Sequence, residues 1–296
     1  MNYYVLPGIG IYGGIKVGFQ FARLLGELGA PIAVATPGGM APRWFGSDRP
    51  VVSREETIAR VGRDDTLIFS LPHDYPVLKA TGARLMFHCQ GTDPLIDPVL
   101  RDKDVVLLTC WEQAAHYVNA IAGREPTDVG ISISDVFFHD GTPKDERTVA
   151  YMPRRGAATA QAAMARVRHL HYAPIGDSDE ISCAAILKRS GYFLATAEGE
   201  WFGLPALEAM AAGCTVVSVP VLGGMEYLKD GENARVVAPV DLPEALAELS
   251  AEHARGARAM LREKGAAMAG RYRMAAQRRK LRDAMQAGLR NALSWN

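Results

Sequence analysis

The chain has 296 residues, 48% hydrophobic and 22% charged, an ordinary globular composition with enough length for two domains of usual size. Lys and Arg total 33 against 33 for Asp and Glu, so the formal net charge is zero and the total offers nothing to nucleic acid or another polyanion. The four cysteines, Cys89, Cys110, Cys183 and Cys214, are far apart and each sits in or beside an apolar run, as buried free thiols do in a reducing compartment. No CxxC or other metal-ligand spacing is present. Met1-Asn-Tyr-Tyr-Val-Leu-Pro7 lacks the basic-then-apolar pattern of a secretory signal, and no uncharged apolar stretch reaches the roughly 20 residues needed to span a bilayer. A cytoplasmic protein acting on a small ligand of mixed polarity is expected.

Short β-rich apolar runs alternate with amphipathic helical patterns, which predicts βαβ units and parallel sheets. The first series has strands at Tyr3–Leu6, Pro31–Thr36, Thr66–Leu71, Arg84–Cys89 and Val105–Cys110, with helices at about Ile15–Leu28, Ser53–Val61 and Glu112–Ile121. A polar Gly/Pro stretch, Phe137–Arg147, reads as a linker. The second series has strands at Thr148–Met152, His169–Ile175, Gly191–Thr196, Cys214–Val219 and Ala234–Val237, and from Asp241 the chain reads as almost continuously helical. No repeat or low-complexity tract is found. The expected architecture is α/β, two Rossmann-like parallel-sheet domains facing a cleft, with boundaries at 1–145, 146–275 and a final helix at 276–296.

The segment richest in chemistry is Ala195-Thr-Ala-Glu-Gly-Glu200-Trp-Phe-Gly-Leu-Pro-Ala-Leu-Glu208-Ala-Met-Ala-Ala-Gly213. A strand ends in a short acidic loop, and a helix starts near Leu204-Pro205, where proline suits the first turn. Ligands of open parallel sheets bind outside the carboxyl ends of the strands, so Glu200 is placed on the ligand side. The helix N-terminus is a site for an anion such as a diphosphate. Two carboxylates beside it would repel that anion unless they face hydroxyl groups, so Glu200 and Glu208 are assigned to sugar and ribose hydroxyls. A dipole partner and a solvated helix residue are the plain alternative for this pair.

This E-x7-E arrangement, enclosing Phe202-Gly203-Leu204-Pro205 and followed by Glu-Ala-Met-Ala-Ala-Gly, resembles the signature of the large "group 1" family of retaining GT-B glycosyltransferases. Thr215-Val-Val-Ser-Val-Pro, then Gly223-Gly224-Met-Glu226 and Asp230-Gly231, is similar to the family's next segment. Val149-Ala-Tyr-Met-Pro-Arg-Arg-Gly156 resembles the first strand of the C-terminal domain and its basic pair. The resemblance implies GT-B architecture, a nucleotide-sugar donor, a glycan, lipid-linked or small-molecule acceptor, and a C-terminal helix crossing back to the N-terminal domain. Catalytic roles are implied for His88, Glu200, Arg154 and Arg155, and donor contacts for Gly13, Gly14, Arg154, Arg155, Glu200, Phe202, Gly203, Leu204 and Glu208. Arg155 stands where the family usually has Lys, which exchanges a point charge for a planar fork.

Pro7-Gly-Ile-Gly-Ile-Tyr-Gly13-Gly14 follows the first strand and opens the first helix. Gly8-x-Gly10-x-x-Gly13 matches the dinucleotide fingerprint, but the second strand, Pro31–Thr36, ends without the acidic partner that NAD needs. The loop is therefore read with the resemblance, as one that approaches the donor phosphate and the acceptor. His88 closes a strand, where the family has a histidine near the donor sugar; a core histidine is the alternative.

Asp177-Ser-Asp179 spells the DxD of metal-dependent glycosyltransferases, but it precedes a helix and is read as an N-cap, so no metal and no other cofactor is expected. The basic stretch Arg271–Arg282 could lie on an anionic membrane surface as a peripheral contact, or belong to a bracing final helix, the preferred reading. A catalytically inactive nucleotide-sugar binder and a non-hydrolysing epimerase share the architecture and stand as alternatives. Nothing in the sequence bears on base, sugar, acceptor or oligomeric state.

Overall fold

The computed structural model describes residues 1–295 and divides into two compact units, Met1–Ser132 with Met274–Asn296, and Ile133–Arg273. From the sequence these divisions are expected at 145/146 and 275/276.

The first unit holds a seven-stranded parallel sheet of β1 (Asn2–Val5), β2 (Ile32–Thr36), β3 (Val51–Ser53), β4 (Thr66–Phe69), β5 (Arg84–Cys89), β6 (Val105–Thr109) and β7 (Thr127–Asp128), in the order β3-β2-β1-β4-β5-β6-β7. Its helices include α1 (Gly13–Glu27), α2 (Arg54–Arg60), α3 (Tyr75–Ala80), α4 (Asp97–Leu100) and α5 (Glu112–Ala122). β2 and β4 are buried along their whole length, as strands covered on both faces must be. Ser53 caps α2 by accepting from the Glu56 amide. β3 and β7 were not expected from sequence; they are short pieces at the two edges of the sheet.

The second unit holds a five-stranded parallel sheet of β8 (Asp145–Tyr151), β9 (His171–Pro174), β10 (Ser190–Ala195), β11 (Thr215–Ser218) and β12 (Arg235–Val236), ordered β12-β11-β10-β8-β9. Helices α6 (Ala157–Arg166), α7 (Glu180–Arg189), α8 (Leu204–Ala211), α9 (Leu242–Ser250) and α10 (Arg255–Gly270) accompany it. Asp179 accepts from the Ser182 amide at 2.7 Å, so the Asp177-Ser-Asp179 triplet ends in the N-cap of α7.

The supposed linker Phe137–Arg147 belongs to the second unit: Phe137 is buried, Asp145–Arg147 begin β8, and the Lys144 ammonium donates to the carbonyls of Leu187, Lys188 and Ser190, closing the C-terminus of α7. The helical run after Asp241 is broken at Ala251, whose backbone is extended, and Arg258 caps the break by donating to the carbonyls of Leu249 and Ala251.

A second break follows α10, after which α11 (Met274–Gln286) rejoins the first unit. Leu281, Ala284 and Met285 enter the same apolar cluster as Phe19, Leu24 and Leu25 of α1. Two of its basic residues are paired there: Arg278 with Glu27 at 3.3 Å and Lys280 with Asp128 at 2.5 Å. No helix among the described residues is long and apolar enough to cross a membrane.

Candidate functional site

In the second sheet the chain leaves β8 toward β9 on one side and β10 on the other, so the topological switch point lies between the carboxyl ends of β8 and β10. This is where open α/β sheets bind ligands. An open cavity lies there. Its floor is apolar, from Met152, Phe193, Leu194 and Ala195, and its polar groups are Arg154, Arg155, Thr196, Glu200 and Ser218.

The loops that carry these groups are stitched together. Gly156 has φ +70° and packs so closely on the Thr196 carbonyl that a Cβ would sit 2.0 Å from its oxygen. The Thr196 hydroxyl donates to the Arg155 carbonyl at 3.0 Å. On the far side, the Glu200 carbonyl accepts from the Leu222 amide at 2.7 Å. The consequence is a direct ion pair, Arg155 Nη1 to Glu200 Oε1, at 2.6 Å.

Gly203, at φ +81°, turns the loop into α8, and its carbonyl accepts from the Tyr227 hydroxyl at 2.6 Å. Phe202 is not on the cavity wall. It is buried against Tyr227 and Tyr272, with ring centroids 5.1 Å and 5.7 Å away, and a Cβ at Gly224 would meet its carbonyl oxygen at 1.9 Å. Tyr227 was not singled out from sequence, although it follows directly on the Gly223-Gly224-Met-Glu226 segment that was. Burial, first, and the Tyr272 hydroxyl raise its phenol well above the ordinary value, so it serves as a neutral donor.

The start of α8 offers an anion less than the sequence suggested. Pro205 has no N–H, and the Ala206 amide is spent on the Gly203 carbonyl at 3.1 Å. Leu204 is buried, and Pro205 and Ala206 are the α8 residues that reach the cavity. Glu208, assigned to ribose, is only 6% exposed and is not among the lining residues. Of the carried-over donor residues in this unit, Arg154, Arg155, Glu200 and Gly203 therefore meet at the cavity, while Phe202, Leu204 and Glu208 do not. Thr196, Met152, Ser218 and Val221 join them; Thr196 and Met152 each end a strand expected from the sequence.

Gly13 and Gly14 open α1 at the switch point of the first sheet, between β1 and β4. Gln90 is packed onto the turn, its Oε1 2.8 Å from where a Gly14 Cβ would lie. Its Nε2 donates to the Tyr4 hydroxyl at 3.0 Å, which lies 2.8 Å from His88 Nδ1; Cys110 Sγ is 2.9 Å from His88 Nε2. His88 is fully buried, and that burial pushes its pKa down to about 3, so the ring is neutral and enclosed. The side chain expected in catalysis thus lies in the core, and Gln90, two residues on, is the strand-end group that reaches the glycine turn.

Two doubly wound parallel sheets with a last helix returned to the first define the GT-B architecture of glycosyltransferases. Residues 169–267 match the family model described as "Glycosyl transferases group 1". Over 171 residues the chain is 27% identical to phosphatidyl-myo-inositol mannosyltransferase of Mycolicibacterium smegmatis, covering 46% of this chain and 43% of that protein, so the match spans less than half of the curated relative's length. Among solved structures it is similar to sucrose-phosphate synthase from Thermosynechococcus elongatus, with TM-score 0.74 and 14% identity over 98% of this chain and 99% of the other. Anabaena HepE, solved with UDP and glucose, gives 0.71 and 13% over 97% and 99%. At these identities the structural likeness speaks for the fold.

Proposed function

We propose that the protein is a retaining glycosyltransferase that moves a hexosyl or deoxyhexosyl group from a nucleotide-sugar to a glycan, lipid-linked or small-molecule acceptor without a metal. The observation that carries this reading is the convergence of Arg154, Arg155, Thr196 and Glu200 at one switch-point cavity, with Thr196 and Glu200 inside the segment that matches the family. The guanidinium forks are suited to a diphosphate and stabilise charge on the departing nucleotide; Glu200 is suited to sugar hydroxyls. The apolar floor takes the less polar part of the donor. The relatives, a phosphatidyl-myo-inositol mannosyltransferase, a sucrose-phosphate synthase and a protein solved with UDP and glucose, support the donor class without selecting a base or sugar. The acceptor is assigned mainly to the first unit, at the carboxyl ends of its strands.

A panel of UDP, GDP, ADP, CMP and dTDP sugars tests the reading by thermal shift. A true donor near a hundred times its dissociation constant stabilises the protein by roughly 2.7 kcal/mol, and a panel without any shift removes the proposal. Transfer that survives chelator supports the metal-free assignment; loss restored by manganese defeats it. The enclosure of His88 favours a second reading, a nucleotide-sugar binder without turnover. Slow release of nucleoside diphosphate from the bound donor distinguishes the enzyme from that binder.

A further inference from the structure

We propose that the Arg155–Glu200 ion pair is a partner-exchange device that lets the site hold a sugar-bearing nucleotide and expel the spent nucleoside diphosphate. The inference rests on the donor reading above.

The two side chains are delivered to one another by anchored backbone. The Arg155 carbonyl is held by Thr196, Gly156 is wedged on the Thr196 carbonyl, and the Glu200 carbonyl is held by the Leu222 amide. The side chains themselves are free to swing, with 48% of the Arg155 side chain and 27% of that of Glu200 open to solvent. An ion pair this exposed is weak, so a diphosphate that brings more than one negative charge displaces the carboxylate from the guanidinium.

Displacement leaves Glu200 beside the diphosphate with its countercharge taken. That position is costly unless hydroxyl groups donate to the carboxylate. A sugar attached to the distal phosphate supplies them; a nucleoside diphosphate alone does not. Before donor binding, Glu200 is engaged by Arg155, so the phosphates bind first and release the carboxylate for the sugar. After transfer the hydroxyls leave with the sugar, Glu200 reclaims Arg155, and the diphosphate loses a cation. The same pair thus favours the intact donor and opposes its product.

Calorimetric titration of the full chain with UDP, GDP and ADP, and with the hexose conjugate of whichever binds best, tests this. Glu200→Gln should tighten the free diphosphate about three- to tenfold while weakening the sugar conjugate, and Glu200→Ala should act in the same direction. In an Arg155→Gln background, where only repulsion by Glu200 remains, the Glu200 change should tighten the diphosphate by clearly less than in the unaltered chain. Unchanged or weaker diphosphate binding in Glu200→Gln overturns the exchange. Equal tightening, or restored binding, in the Arg155→Gln background also overturns it, because simple repulsion then suffices. If neither the diphosphates nor their hexose conjugates bind the unaltered chain, the donor reading falls and the exchange with it; binding without the Glu200 effect sinks the exchange alone.

Discussion

His88 and Glu200 were both read as site residues from their places at strand ends, yet the sheet sends one inward and the other to the cavity. Burial of His88 has a pH signature. Its folded pKa is depressed to about 3, while the unfolded ring titrates near 6.5. Above pH 6.5 both states are neutral and nothing is lost; as pH falls below it the unfolded chain takes up a proton that the fold refuses. Stability should therefore decline by up to about 1.4 kcal/mol per pH unit from 6.5 toward 3. Urea unfolding across that range checks it, and His88→Asn should flatten this part of the profile while costing roughly 1–3 kcal/mol at neutral pH. Gly156 gives a second prediction at this scale. Gly156→Ala places a Cβ against the Thr196 carbonyl at a φ that suits glycine, so it should cost roughly 1–3 kcal/mol and weaken nucleotide binding with it. Denaturation midpoints and nucleotide titration of the same variant read both effects. Alternation of apolar runs and turns cannot report which strand-end side chain faces in, because that depends on neighbours such as Tyr4 and Cys110 that are distant in sequence.

Elements were more legible than side chains. β5 begins and ends where the apolar run Arg84–Cys89 does, and the other interior strands differ from their runs by a few residues at most, because a strand buried on both faces is written as a continuous apolar stretch. β3 and β7 escaped notice because edge pieces of 3 and 2 residues bury too little to leave a pattern. Phe137–Arg147 misled through composition: its Gly and Pro suggested a tether, whereas Lys144 spends its charge on three carbonyls at the end of α7. On α11, Arg278 and Lys280 likewise pair with carboxylates of the first unit, and the apolar side of the helix carries stability. Leu281, wholly buried against α1, should cost about 2–5 kcal/mol when changed to alanine, with the loss confined to the first unit. Hydrogen exchange measured separately over β1 and over β10 would show faster opening in the former alone.

At the scale of the whole molecule, one unit is continuous in sequence and the other is not. Residues 133–273 contain every strand of their own sheet, so a chain ending at Arg273 should retain the second unit and its nucleotide affinity while the first loses its bracing helix. Limited proteolysis of that shortened chain checks the expectation: fragments should come from residues 1–132, and equal digestion of both parts would refute it. The discontinuity is sealed at the far end by a small knot of polar contacts. Asn2 exchanges hydrogen bonds with the backbone of Ser294, and the Ser294 hydroxyl meets Thr66 and the Asp64 carbonyl. β1 at the start of the chain is thus fastened by residues translated after both sheets have been made. During synthesis on the ribosome the later-made unit has all its parts first, and the earlier-made one must wait, its first strand long since synthesised, until the closing helix emerges.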